Sequence, residues 1–165
     1  MSKDFYKIYI LPYSAIIIKI CRAYSNSQED YEDYYQEVCL QIWKSRDNFK
    51  NKSEWSTWIY RISLNVCLSL LRKEKKHNDN NHFKESNNQF SNQSDATEDS
   101  KDYATDIVKL YDVIKELTEI DRGIILLYLE KKTYKEIAQI MGTNSNSIGV
   151  KITRIKNRIK KQING

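Results

Sequence analysis

Apolar residues recur along the chain at intervals of three and four positions, which is the spacing of one face of an α-helix. In the N-terminal part this pattern predicts helices over residues 3–24, about 28–45 and about 53–73. The third carries two apolar lines on different sides, so it is either sandwiched between other elements or partly exposed. The predicted inward positions are Phe5, Ile8, Ile16 and Ile20 in the first helix, Tyr31, Tyr35, Val38 and Ile42 in the second, and Trp55, Ile59, Ile62 and Val66 with the second line Tyr60, Leu64 and Cys67 in the third.

A polar segment separates these helices from a second helical part. Residues 78–106 hold seven acidic and two basic residues and few apolar ones. Such a composition buries too little surface to offset the entropy of ordering it. We therefore expect a flexible acidic linker at 78–103 between domains at 1–77 and 104–165. The second domain begins with inward positions Ile107, Leu110, Ile114 and Leu117, and a helix over about 119–130 follows with Ile120, Ile124, Leu127 and Tyr128.

Residues 133–161 predict a helix-turn-helix. Thr133 and Glu136 form a T-x-x-E capping box, which marks a helix start. Gly142 permits the left-handed turn that ends this short helix, and Asn144 and Ser145 are good caps for the next one. A short helix, a glycine turn and a longer helix form the DNA-binding pattern. The buried face of the longer helix is predicted to consist of Ile148, Ile152, Ile155 and Ile159.

Charge is unevenly distributed along the chain. The net charge is only +5, but residues 145–165 hold six basic residues and no acidic one. This localised positive charge suits the phosphate backbone of DNA. The predicted helix at 28–45 begins instead with five acidic residues and has no basic residue before Lys44. It presents either a solvated acidic face or a docking face for a basic partner. The acidic residues are Glu29, Asp30, Glu32, Asp33 and Glu37.

The remaining features favour a binding protein over an enzyme. Four glycines and one proline are too few for a β-sandwich or barrel, so we expect an all-α fold. No catalytic set, phosphate-binding loop or metal-ligand cluster is recognisable, so we expect no enzyme activity, cofactor, metal or small-molecule substrate. Cys21, Cys39 and Cys67 lack metal-ligand spacing and indicate buried free thiols in a reducing cytoplasm. The apolar run at 9–18 is too short to cross a membrane.

Three stretches resemble bacterial RNA polymerase sigma factors of the compact extracytoplasmic-function group. Residues 30–44 (DYEDYYQEVCLQIWK) resemble the family's acidic helix, and residues 55–73 (WSTWIYRISLNVCLSLLRK) resemble its F-S-T-W-L-Y-R-I-A-x-N helix. The third stretch is residues 117–159, in which residues 134–142 match Y-x-E-I-A-x-x-[LM]-G. The three stretches cover nearly half of the chain, and the first two motifs are specific.

The resemblance implies three binding surfaces. The first docks on core RNA polymerase, the second melts and reads the minus-ten promoter element, and the third reads the minus-thirty-five element as duplex. The first comprises Asp33, Gln36, Glu37, Leu40 and Trp43. The second comprises Trp58, Tyr60, Arg61, Asn65, Arg72, Lys73, Lys75 and Lys76. The third comprises Asn144, Asn146, Ser147, Val150, Lys151, Arg154, Arg158 and Lys161.

The sequence departs from the family pattern at a few positions and leaves two other functions open. Gly149 stands where a Lys or polar residue is usual, and Ser69 replaces an Asp. Thr143, Asn146 and Val150 also differ from the residues common in the family. The family's preference for particular bases is therefore not assigned to this chain. The expected partners are core polymerase and promoter DNA, and whether an anti-sigma factor binds stays open. The alternatives are a stand-alone helix-turn-helix regulator and a helical protein-interaction module without DNA binding.

Overall fold

The computed structural model describes residues 2–51, 54–80 and 98–164, and every regular element in these ranges is helical. The side chains of 79–80 and 98–102 lie outside this description. Most of the expected linker, residues 81–97, also lies outside the described ranges. The linker residues 78–80 and 98–103 belong to helices. The helices are α1 (Lys3–Phe5), α2 (Ser14–Tyr24), α3 (Gln28–Lys44), α4 (Trp55–Asn80), α5 (Glu98–Lys115), α6 (Glu119–Leu129), α7 (Tyr134–Met141) and α8 (Ser145–Asn164).

The predicted helix over 3–24 is interrupted. After α1 the chain forms a π-helical turn at Tyr6–Ile10 and a 3₁₀ turn at Leu11–Tyr13 before α2 begins. Pro12 lacks the N–H group that a continuous helix needs. The π turn also changes the number of residues per turn, which changes the residue that faces inward. The prediction for Ile8 is therefore wrong: Ile8 is 62% exposed, whereas Ile10 is fully buried.

Helices α2, α3 and α4 form the N-terminal domain together with the segment before α2. The predicted positions Ile16 and Ile20 of α2 and Val38 and Ile42 of α3 are buried. Ser27 caps α3, because its side chain accepts a hydrogen bond from the Asp30 N–H. The three cysteines are buried and free, as predicted.

Helices α5 to α8 form the C-terminal domain, and its helix-turn-helix agrees with the prediction. Both hydrogen bonds of the capping box between Thr133 and Glu136 are present at the start of α7. Gly142 ends α7 in the left-handed conformation, with φ of 73°. The Asn144 carboxamide then caps α8 by accepting a hydrogen bond from the Ser147 N–H at 2.9 Å. The isoleucines at 148, 152 and 155 are buried, and Ile159 is half-buried.

The two domains pack against each other around α4. Tyr60, Leu64 and Cys67, the second apolar line of this helix, are all buried, so α4 is sandwiched. Gly123 permits the close approach of α6, since a Cβ there would lie 3.1 Å from Leu64 Cδ2 and 3.2 Å from Tyr24 Oη. The buried residues of the two domains thus form one continuous hydrophobic cluster. In the described chain, no helix is long and apolar enough to cross a membrane.

Candidate polymerase- and DNA-binding surfaces

The expected polymerase-docking residues follow one side of α3. Asp33, Gln36 and Leu40 are exposed, and Glu37 is half-buried beside them. Together with α4, this side of the helix forms an open groove of about 380 Å³. The groove is lined by Asp30, Asp33, Tyr34, Gln36, Glu37, Leu40, Leu70 and Glu74. Four carboxylates and two leucines therefore line one concave surface, which suits a partner that is basic and partly apolar.

Trp43 extends the same side of α3 but is held more firmly than its neighbours. It is half-buried, and its ring meets the ring of Phe5 edge-on with centroids 5.0 Å apart. The Arg46 guanidinium lies 3.8 Å from the Trp43 ring centroid and donates a hydrogen bond to the Trp43 carbonyl. This packing fixes the indole at the edge of the acidic groove, where only part of it can contact a partner.

The expected minus-ten residues lie on two adjacent sides of α4. Trp58 belongs to an aromatic cluster with Trp55 and Phe49, and Asn65 and Lys73 line a second open groove of about 350 Å³ against α3. Lys76 is exposed. Asn65 and Lys73 are also exposed, and Trp58 is half-buried, so these side chains can be reached from solvent. Trp58 and Lys73 are separated by about 22 Å along the helix axis, at 1.5 Å per residue.

The other minus-ten candidates contact the C-terminal domain. The Arg61 guanidinium donates a hydrogen bond to the Gln139 carbonyl of α7 at 2.6 Å. Tyr60 is only 8% exposed, and the Lys132 ammonium lies 4.9 Å from its ring centroid. Tyr60 therefore offers no free ring face to a base in this arrangement.

Arg72 and Lys75 are bound by a single carboxylate of the C-terminal domain. Arg72 Nε lies 3.2 Å from one oxygen of Glu119, and Lys75 Nζ lies 2.7 Å from the other. The hydrogen bond from Lys75, followed by that from Arg72, lowers the pKa of Glu119 below its usual value. The Glu119 carbonyl also accepts a 2.5 Å hydrogen bond from the Tyr24 hydroxyl of α2.

The expected minus-thirty-five residues lie along the solvent side of α8 and the turn before it. Val150 is 71% exposed although it is apolar, and Asn144, Asn146 and Lys161 are exposed as well. Ser147 and Lys151 are half-buried. This side of α8 is free to approach a DNA groove, and Val150 could contact a thymine methyl group.

Arg154 and Arg158 are oriented by their own domain. Arg154 Nη2 lies 3.2 and 3.0 Å from the two oxygens of Asp121, a buried carboxylate of α6. The Arg154 side chain nevertheless remains 63% exposed. Arg158 donates a hydrogen bond to the Glu116 carbonyl at 3.4 Å. One nitrogen of each guanidinium is thus used for positioning, and the rest of the group is left for a ligand.

Gly149, which departs from the family pattern, lies against the first helix of the helix-turn-helix. A Cβ at this position would lie 3.4 Å from Cε2 and 3.6 Å from Cδ2 of Tyr134. The aromatic ring at the start of α7 thus packs over the glycine in α8. Because these distances are ordinary van der Waals contacts, the packing of the two helices does not require glycine here, and nothing in the structure explains the departure.

Sequence reasoning missed the residues that cover or orient the DNA-binding candidates. Glu119 and Asp121 lie in the first turn of α6, where acidic residues are expected simply because they suit the positive end of a helix. Gln139 acts through its backbone carbonyl, which carries no sequence signal. None of these three could be paired with its partner from spacing along the chain.

Comparison with known proteins gives two family matches and several similar sequences. Residues 10–77 match Sigma-70 region 2, and residues 107–159 match Sigma-70 region 4. The chain is 35% identical over 65 residues to the ECF RNA polymerase sigma factor SigG of Mycobacterium tuberculosis, which is 39% of this chain but only 18% of that protein. It is 25% identical over 144 residues to the ECF RNA polymerase sigma-E factor of Haemophilus influenzae, covering 83% of this chain and 76% of that protein.

A solved structure resembles the whole described fold. The sigma factor RpoE of Bartonella quintana, in complex with the anti-sigma factor NepR, superposes with a TM-score of 0.76 at 21% identity. The match covers 99% of this chain and 98% of RpoE, so it includes both helical domains.

Proposed function

This chain belongs to the extracytoplasmic-function sigma factors, and we propose that it brings core RNA polymerase to promoters and helps to open the DNA strands there. The observation that carries the proposal is the presence of two surfaces of opposite charge on one chain. An acidic groove lies along α3, and a cationic helix completes a capped helix-turn-helix at the other end. The proposed activity is binding, without enzymatic catalysis.

The proposal assigns a task to each part of the chain. Residues 1–77 dock on core polymerase and bind the minus-ten element, and residues 104–165 bind the minus-thirty-five element. Residues 78–103 link the two. Because core polymerase works in the bacterial cytoplasm, we place the protein in that compartment.

The acidic groove on α3 supports the docking assignment. The Asp33, Gln36 and Leu40 side chains point away from the core, so they are available for contact with a large partner. Charge complementarity with a basic surface accelerates the encounter and fixes its orientation. Leu40 adds an apolar contact, which a purely electrostatic surface would lack.

We further propose an anti-sigma factor as an inhibitory partner. The similar Bartonella quintana structure was determined with such a protein bound, and its likeness extends over the whole described fold. A partner of this kind would hold the chain away from polymerase until a signal releases it.

Run-off transcription with purified core polymerase tests the proposed function. Core enzyme with this chain should initiate at discrete positions on fragments of the source genome, and core enzyme alone should not. The stand-alone regulator would instead bind specific duplex DNA without polymerase, and the interaction module would bind no DNA. Failure to join core polymerase, or to start any transcript once joined, contradicts the proposal.

A further inference from the structure

The side of α8 that faces away from the domain core carries a line of uncharged residues. Each of them lies two positions before an isoleucine of the apolar stripe of this helix, which is a rotation of about 200° around the helix axis. All of them are exposed, and Val150 is 71% exposed. We call this set the outward line, and it consists of Asn146, Val150, Thr153 and Asn157. The helix is basic, but this line is neutral.

Basic residues of the same turns lie on the two flanks of the outward line and contact their own domain. On one flank, Arg154 binds both oxygens of Asp121, and Arg158 donates to a backbone carbonyl just after α5. On the other flank, the Lys156 ammonium lies 4.5 Å from the Tyr128 ring centroid. A helix in the major groove has a phosphate backbone on each side, so cations held on the flanks suit phosphates.

The side chains of the outward line have the chemistry of A·T recognition. Thr153 donates its hydroxyl proton to the Gly149 carbonyl at 3.0 Å, which leaves its methyl group for an outside contact. Val150 offers two further methyl groups. Among the four standard bases, only thymine presents a methyl group in the major groove, and it binds apolar groups of this kind. The Asn146 carboxamide can donate and accept together, as the N7 and N6 atoms of adenine require.

We propose that Asn146, Val150 and Thr153 read A·T base pairs in the major groove, so that the C-terminal domain selects an upstream element with A·T pairs at these contacts. This inference rests on the proposed function and adds the class of base pair to it. Reading of guanine needs an arginine or lysine aimed at the base, and the outward line contains neither. From residue 146 to residue 153 the helix advances about 10 Å, which is about three base-pair steps.

Selection from a duplex library tests the class of base pair. Core polymerase carrying the full chain is mixed with duplexes whose upstream element is randomised, and the DNA that stays bound is sequenced. Two or three consecutive A·T pairs should be enriched over G·C pairs, by roughly 5- to 100-fold at each position. G·C pairs at these positions, or no preference, overturn the inference. If no complex with polymerase forms, the proposed function has failed instead, and the selection is repeated with the full chain alone.

Base analogues then test the individual contacts. Uracil in place of thymine removes only the methyl group, and 7-deazaadenine in place of adenine removes only the N7 acceptor. Uracil at one of the selected positions should weaken binding of the unmodified chain by roughly 3- to 5-fold, the effect of one buried methyl group. Val150→Ala should lose most of this response. The 7-deazaadenine duplex should bind the unmodified chain more weakly than the adenine duplex, whereas Asn146→Ala should bind the two equally.

Asn157→Ala is the matched control for Asn146→Ala. Asn157 is an exposed asparagine of the same line, but it lies about 16 Å further along the helix, beyond the N-terminal part that contacts base edges. This control should keep the response to 7-deazaadenine, and circular dichroism should show unchanged helix content in both variants. Equal responses of the two variants overturn the inference. Selection of A·T pairs without a response to either analogue also overturns it, because groove shape would then select them.

Discussion

Two candidate DNA-binding surfaces of this chain carry positive charge but differ in the origin of the groups that hold their cations. On α8, the outward residues face solvent, and where Arg154 and Arg158 are held, their partners belong to the same domain. On α4, Arg61 and the Arg72–Lys75 pair are held by the other domain. The comparison teaches that the charge pattern of a helix does not identify the partner of each cation, because the tertiary structure decides it. The Arg72, Lys75 and Arg154 side chains nevertheless remain 60%, 58% and 63% exposed.

The largest expected effect is on the free energy of unfolding, and it distinguishes the buried side of α8 from its outward side. Ile152 is fully buried, so Ile152→Ala should lower the free energy of unfolding of the C-terminal domain by about 2–5 kcal/mol. Val150 is mostly exposed, so Val150→Ala should change it by less than about 0.5 kcal/mol. Chemical denaturation followed by circular dichroism measures both. Equal destabilisation by the two variants would contradict the assignment of the outward face.

The second prediction removes polymerase docking and leaves both DNA surfaces intact. Asp33→Lys combined with Glu37→Lys should weaken core polymerase binding by roughly 100-fold, because like charges would face each other across the interface. Asp47→Lys combined with Asp106→Lys makes the same change of charge at exposed positions elsewhere. Co-purification with core polymerase compares the two. If both pairs bind equally, docking does not use this groove.

A third change tests whether Arg154 reads a base or only binds backbone. Arg154→Ala should cost about 1–3 kcal/mol of minus-thirty-five binding if its free nitrogens contact a base edge. The same variant should also discriminate less between the four base pairs at one position of the DNA site. Fluorescence anisotropy on duplexes with single base changes measures both quantities. A uniform loss of affinity on every duplex would assign Arg154 to a phosphate instead.

The smallest expected effect is the pH dependence of the packing between the two domains, an arrangement that we call the closed form. The pKa of Glu119 is lowered in the closed chain by Lys75 and Arg72, with Tyr24 and Arg122 also near this carboxylate. A lowered carboxyl pKa favours the closed form above its usual value of 4.5, and this contribution is lost as pH falls through the closed-form pKa. The ion pairs are partly exposed, so the change is below about 1 kcal/mol. Scattering measured from pH 7 to pH 4 should show the radius of gyration rising, and Glu119→Gln should reduce this rise.

The local elements of the fold could be predicted because their causes are local. The capping box at Thr133, the left-handed Gly142 and the isoleucine stripe of α8 each depend on residues within one or two helical turns. The acidic side of α3 could be found for the same reason. Where the chain left α-helical periodicity, at the π turn after α1, the prediction for Ile8 was wrong, because a constant period was assumed.

The sequence by itself determined which segments are helical, which side of most helices is apolar, and where the charges are concentrated. The tertiary structure alone decided that Glu119 meets Arg72 and Lys75, and that Gln139 meets Arg61. These pairs are more than 40 positions apart, and their distances depend on how two separately predictable helical domains pack. That packing depends on the missing side chain of Gly123 between Leu64 and Tyr24, a steric relation between helices that no periodicity records.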